Sequence, residues 1–110
     1  MKTYHRTPFG QRILKEGFKD GEGTYLTLNV YRGVWISNVP LDINEGAEGD
    51  DLIEIKLPAR IFREYEWIEE GKPYRESLLP ASILNRYPAR LIDESEEEKI
   101  YKKLREKYRG

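Results

Sequence analysis

The chain has 110 residues, 38% of them apolar and 35% charged, with a formal net charge of -1. That length supports one domain with a single core, and the even charge balance excludes a global bias toward nucleic acid or membrane surfaces. There is no cysteine and one histidine, His5, so disulfides, thiolate zinc sites, cysteine nucleophiles and multi-histidine metal centres are excluded, and no metal is expected. No apolar run approaches the roughly 20 residues of a membrane span. The first residues, Met1 to Arg6, lack the apolar core of a signal peptide. Together these features predict a cytoplasmic protein with no membrane partner.

In chain order, Lys2 to Thr7 reads as a first strand. Thr7 can cap a helix that has Pro8 at its first position, and Gly17 is placed to end it. Phe9, Ile13 and Leu14 give that helix an apolar face. A turn is expected at Asp20-Gly21-Glu22-Gly23; its glycines lack the spacing of a dinucleotide-binding fingerprint. Tyr25 to Val30 alternates, with Leu26, Leu28 and Val30 inward. Tyr31-Arg32-Gly33 turns the chain into a further strand, Val34 to Ser37, with Trp35 and Ser37 on one face. Asn44 to Asp51 is polar and glycine-containing, which predicts a mobile loop, and it lacks the ligand spacing of an EF-hand.

Leu52 to Leu57 alternates cleanly, with Ile53, Ile55 and Leu57 inward against Glu54 and Lys56. Pro58 opens a short helix to about Glu66, and Gly71-Lys72 turns into Pro73-Tyr74-Arg75-Glu76-Ser77-Leu78-Leu79-Pro80. Prolines bound this stretch as they bound strand ends. Alternation puts Tyr74, Glu76 and Leu78 on one side, and Arg75, Ser77 and Leu79 on the other. A carboxylate between apolar residues needs a partner or a task. The plain reading of Glu76 is an edge-strand residue facing water or paired with an arginine. Ser82 to Tyr87 is a connection, and Pro88 to Ile92 a last strand. The remainder, 93–110, is compositionally distinct and reads as a separable charged helix. Ser95 and Glu98 have capping-box spacing, and Ile100, Leu104 and Tyr108 form one docking stripe. Its basic residues are either a phosphate-binding surface or, more plainly, a solvated face.

Three motifs, in order, resemble the ADP-ribosyltransferase superfamily across about Tyr4 to Ile92. Tyr4-His5-Arg6-Thr7 followed by Ile13-Leu14-Lys15-Glu16-Gly17-Phe18 is similar to its His-x-Thr strand and following helix. Gly33-Val34-Trp35-Ile36-Ser37 is similar to its Gly-apolar-Tyr-apolar strand, with Trp35 in place of tyrosine. Glu76-Ser77-Leu78-Leu79-Pro80 is similar to its catalytic glutamate and Val-Leu-Leu-Pro. The resemblance implies an α+β fold, a split antiparallel β-sandwich with peripheral helices, over residues 1–92. It implies NAD as substrate, Glu76 as the catalytic carboxylate, and His5, Arg6, Thr7, Trp35 and Ser37 as the NAD-binding set. Cleavage of the nicotinamide–ribose bond passes through an oxocarbenium-like state, as glycoside cleavage does. Glu76 would stabilise that charge, Trp35 would stack on nicotinamide, and His5 would bond a ribose hydroxyl.

The sequence also departs from the family pattern. Arg6 stands where many members have a glycine whose backbone grips the nicotinamide amide. Tyr74 stands two residues before Glu76, where arginine-modifying members carry Glu or Gln. Glu64-Tyr65-Glu66 has Glu-x-Glu spacing but reads as helical surface. Trp35 and His5 each have a plain alternative as core residues. The acceptor stays open between protein, nucleic acid and small molecule, as does simple NAD hydrolysis. The rival from another class is a non-catalytic interaction module on the same fold.

Overall fold

Alternation along the two apolar runs 34–37 and 52–57 sets the centre of the molecule, because strands with inward side chains every second residue must share one buried face. The computed structural model describes residues 1–24, 30–41 and 49–107. The elements are β1 (Lys2–Thr7), α1 (Gly10–Glu16), β2 (Gly21–Thr24), β3 (Val30–Ser37), β4 (Asp51–Lys56), α2 (Ala59–Glu64), β5 (Glu66–Trp67), β6 (Glu76–Leu79), α3 (Ala81–Leu84), β7 (Ala89–Ile92) and α4 (Glu94–Lys107). Six strands form one antiparallel path, β5-β6-β3-β1-β4-β7, and β2 pairs with β3 off it. The domain is therefore α+β. Among the described residues no second sheet is stacked on the first; helices cover its faces. None of these helices is long and apolar enough to cross a membrane.

One face carries the main core. Val34, Ile36, Ile53, Ile55 and Leu79 pack with Phe18, Phe62 of α2 and Leu84 of α3. The other face carries Tyr4, Leu52 and Ile92, against which Ile100 of α4 packs. The central strands are thus covered on both sides over part of their length. Coverage by α4 overturns one expectation: Glu54, assigned outward, is buried and paired with Arg90 at 3.3 Å, and Arg90 also meets Glu96 of α4 at 2.8 Å.

Local expectations hold where neighbours in sequence decide, and shift where pairing decides. Gly17 ends α1 with φ +88°, and Pro80 ends β6 and opens α3, whose Ala81 N–H is taken by Asp20 at 2.7 Å. Helix α1 starts later than expected, and its Gly10 N–H is capped by Asp51, distant in sequence, at 2.9 Å. Residues 21–23 and 31–33, expected in turns, are strand instead, because Gly21 to Thr24 ladder with Gly33 to Val30. At Gly33 β3 changes partner, from β2 to β6. Its φ is +148°, and a side chain there would meet the Leu79 carbonyl oxygen at 2.8 Å. Glu66 lies on β5 rather than on helical surface, in a forked ion pair with Arg75. Helix α4 is capped by Asp93, which accepts from Glu96 N at 2.8 Å and Ser95 Oγ at 3.0 Å. These bonds hold the Asp93 carboxyl below the usual carboxylate range and supersede the Ser95–Glu98 box. The inward set at 26, 28 and 30, the loop core at 44–48 and Tyr108 lie outside the described side chains.

Candidate functional site

Register places the candidate residues. Residues directly opposite on antiparallel strands share a face. Trp67, Glu76, Ser37, Tyr4, Glu54 and Arg90 therefore form one row across the sheet. Trp35, opposite Leu78, lies one step along on that same face. Trp35, Ser37 and Glu76 are brought together as neighbours. His5 is opposite Ile53, so its ring and Thr7 belong to the other face.

The ladder between β1 and β3 consists of one residue pair among the described residues, Tyr4 opposite Ser37. By contrast β1 pairs with β4 over six residues and β3 with β6 over four. The sheet therefore forks past Tyr4, and the side chains at the fork are the candidate set. His5 reaches across it: its Nδ1–H donates to the Trp35 carbonyl at 2.7 Å, and its ring stands edge-on to Phe18 at 5.6 Å. Ser37 is buried, its hydroxyl against the carbonyls of Val39 (2.6 Å) and Tyr4 (3.3 Å). Thr7 Oγ1 accepts from Phe9 N at 3.0 Å. The Arg6 guanidinium donates to the Leu41 carbonyl, to Glu97 and to Tyr101 Oη. The side chains of Arg6, Thr7 and Ser37 are thus engaged by protein, and that of Ser37 joins β3 to β1.

Of this set, Trp35 is exposed and Glu76 is partly exposed on the same face. Trp35 is 38% exposed, a high value for its size. Its indole meets Trp67 edge to face at 5.8 Å, an attractive arrangement of two quadrupoles. Glu76, its side chain 16% exposed, meets Lys72 Nζ at 3.3 Å. Lys72 also meets Glu69 at 2.7 Å and lies over the Tyr74 ring at 5.4 Å. A flat aromatic wall beside a carboxylate can hold a planar ring whose attached carbon becomes positive. Trp67 and Lys72 were not legible as neighbours of Glu76 in the sequence; the only hint was the Gly71-Lys72 turn that folds the chain back. A depression of about 350 Å³ lined by Ile13, Phe18, Leu84, Asn85 and Tyr87 lies beside α1, apart from Trp35 and Glu76.

Burial pushes the His5 pKa below its ordinary 6.5, against a smaller opposing effect of its bond to the Trp35 carbonyl. Protonation therefore opposes folding. The stabilisation is full above the unfolded value of about 6.5 and is lost as pH falls from there through the folded pKa. With a single histidine in the chain, this window is separate from carboxylate titration. The urea midpoint is expected to fall between about pH 7 and about pH 5 in the wild type, and to change much less in His5→Gln. Equal slopes would remove His5 as the cause.

No protein-family model, curated protein or solved structure matches this chain.

Proposed function

We propose that this chain is a compact ADP-ribosyltransferase that cleaves the nicotinamide–ribose bond of NAD and passes ADP-ribose to an acceptor. The observation that supports it best is the convergence of Trp35 and Glu76 on one open face, beside the point where the sheet forks. In this reading the fork is the split of a split β-sandwich, and NAD lies along it. Trp35 stacks on nicotinamide, and Glu76 accepts a hydrogen bond from a ribose hydroxyl and stabilises the oxocarbenium-like charge. Past Tyr4 the edge of β1 has no β3 partner among the described residues, and in this reading the Arg6 backbone there binds the nicotinamide amide. His5 acts at one remove, by holding the Trp35 backbone.

One observation favours a second reading. The His5 ring faces the core side, opposite to Glu76, as it would in a non-catalytic interaction module that keeps the fold. Titration with NAD separates the two. NAD at millimolar concentration should raise the melting temperature and quench tryptophan emission in a Trp67→Phe background. Trp35→Phe in that background should remove most of the quenching, and nicotinamide should be released. Neither shift nor release would leave the interaction module; release without shift or quenching would move the site away from Trp35.

A further inference from the structure

Glu76 is engaged by a cation of its own chain. The segment 68–75 leaves β5 at Trp67 and returns into β6 at Glu76. Within it, the Lys72 ammonium lies between the carboxylates of Glu69 (2.7 Å) and Glu76 (3.3 Å) and over the Tyr74 ring at 5.4 Å. Two carboxylates and an aromatic face make a cage for a positive charge. On the reading above, the group that Glu76 must stabilise is also positive. An ammonium left 3.3 Å from the carboxylate would oppose that charge by simple Coulomb repulsion.

We infer that Lys72 is a displaceable counterion that occupies the place of the substrate's cation and must leave Glu76 when NAD binds. This rests on the proposed function. The geometry provides for the movement. Lys72 is 31% exposed on its side chain. Gly71 before it has φ +83°, with open space where a side chain would be, so the turn is uncrowded. Glu69 is the nearer carboxylate and can retain the ammonium after Glu76 releases it.

The test is the dissociation constant of NAD by tryptophan quenching, with kcat for nicotinamide release, in the wild type, Lys72→Met, Lys72→Arg and Glu69→Gln. An exposed ion pair has a modest effect, so Lys72→Met should tighten NAD about threefold, with kcat not lowered. Lys72→Arg keeps the charge and should stay near wild type. Glu69→Gln leaves the ammonium to Glu76 alone and should weaken NAD by a similar factor. Opposite signs for Lys72→Met and Glu69→Gln are something a purely structural role would not produce. Unchanged affinities, shifts of the same sign, or a kcat lowered in Lys72→Met would overturn the inference and leave the proposed function standing. Wild-type protein that neither binds NAD nor releases nicotinamide would overturn both.

Discussion

Replacing Glu76 with glutamine is expected to slow nicotinamide release by roughly 10²-fold or more, the usual loss when a preorganised electrostatic contact to developing charge is removed. Glutamine keeps the shape and one acceptor, so the effect isolates the charge. Folding should be little affected, because the Glu76 side chain is on the open face and its pairing with Lys72 is partly solvated. NAD affinity should change far less than turnover, since stacking on Trp35 is retained. Glu64→Gln and Glu66→Gln are the controls. Glu66 is occupied by its fork with Arg75, which holds its carboxyl below the ordinary range. Wild-type release from Glu76→Gln would take that residue out of the mechanism. A collapse in a control would relocate the site to the end of α2 or to β5.

The second large effect is expected at the contact between β1 and the C-terminal helix. The Arg6 side chain is 9% exposed and that of Glu97 is 17% exposed. Tyr101 donates to the same Glu97 carboxylate at 2.9 Å, and burial first, then that bond, push its pKa up to about 12. Truncating Glu97 to alanine leaves the guanidinium largely buried with no countercharge, which should cost about 3 kcal/mol in urea unfolding. The double variant Arg6→Met/Glu97→Met replaces both charges with apolar volume and should return to within about 1 kcal/mol of wild type. Glu94→Ala, at an exposed position of the same helix, should stay within about 0.5 kcal/mol. Additive losses in the double variant would show that Arg6 and Glu97 do not depend on each other. This pair also ties α4 to β1. Ile100 packs on Tyr4, Leu52 and Ile92, so α4 completes a second, smaller core on the sheet.

The sequence alone determined those features whose causes lie within a few residues. Gly17 and Pro80 end their elements because a left-handed residue stops a helix and an N-alkylated one leaves a ladder. The run at 52–57 alternates, so the burial of Ile53, Ile55 and Leu57 was legible, as was the sharing of one face by Trp35 and Ser37 in the run at 34–37. The amphipathic C-terminal helix was legible too, because its charges complement its dipole.

Tertiary structure decided everything that depends on which strand lies beside which. The register Tyr4–Ser37–Glu76–Trp67 is set by three separate pairings, and no local pattern encodes it. It places Trp35 with Glu76 and turns His5 to the other face, whereas the family resemblance implied one cluster. Glycines at 21, 23 and 33 carry no side-chain preference, so cross-strand pairing made strand of what composition alone makes a turn. Arg6 resembled a departure at a nicotinamide-gripping position. Only the docking of α4 shows its side chain engaged in an ion pair, with a partner 91 residues along the chain.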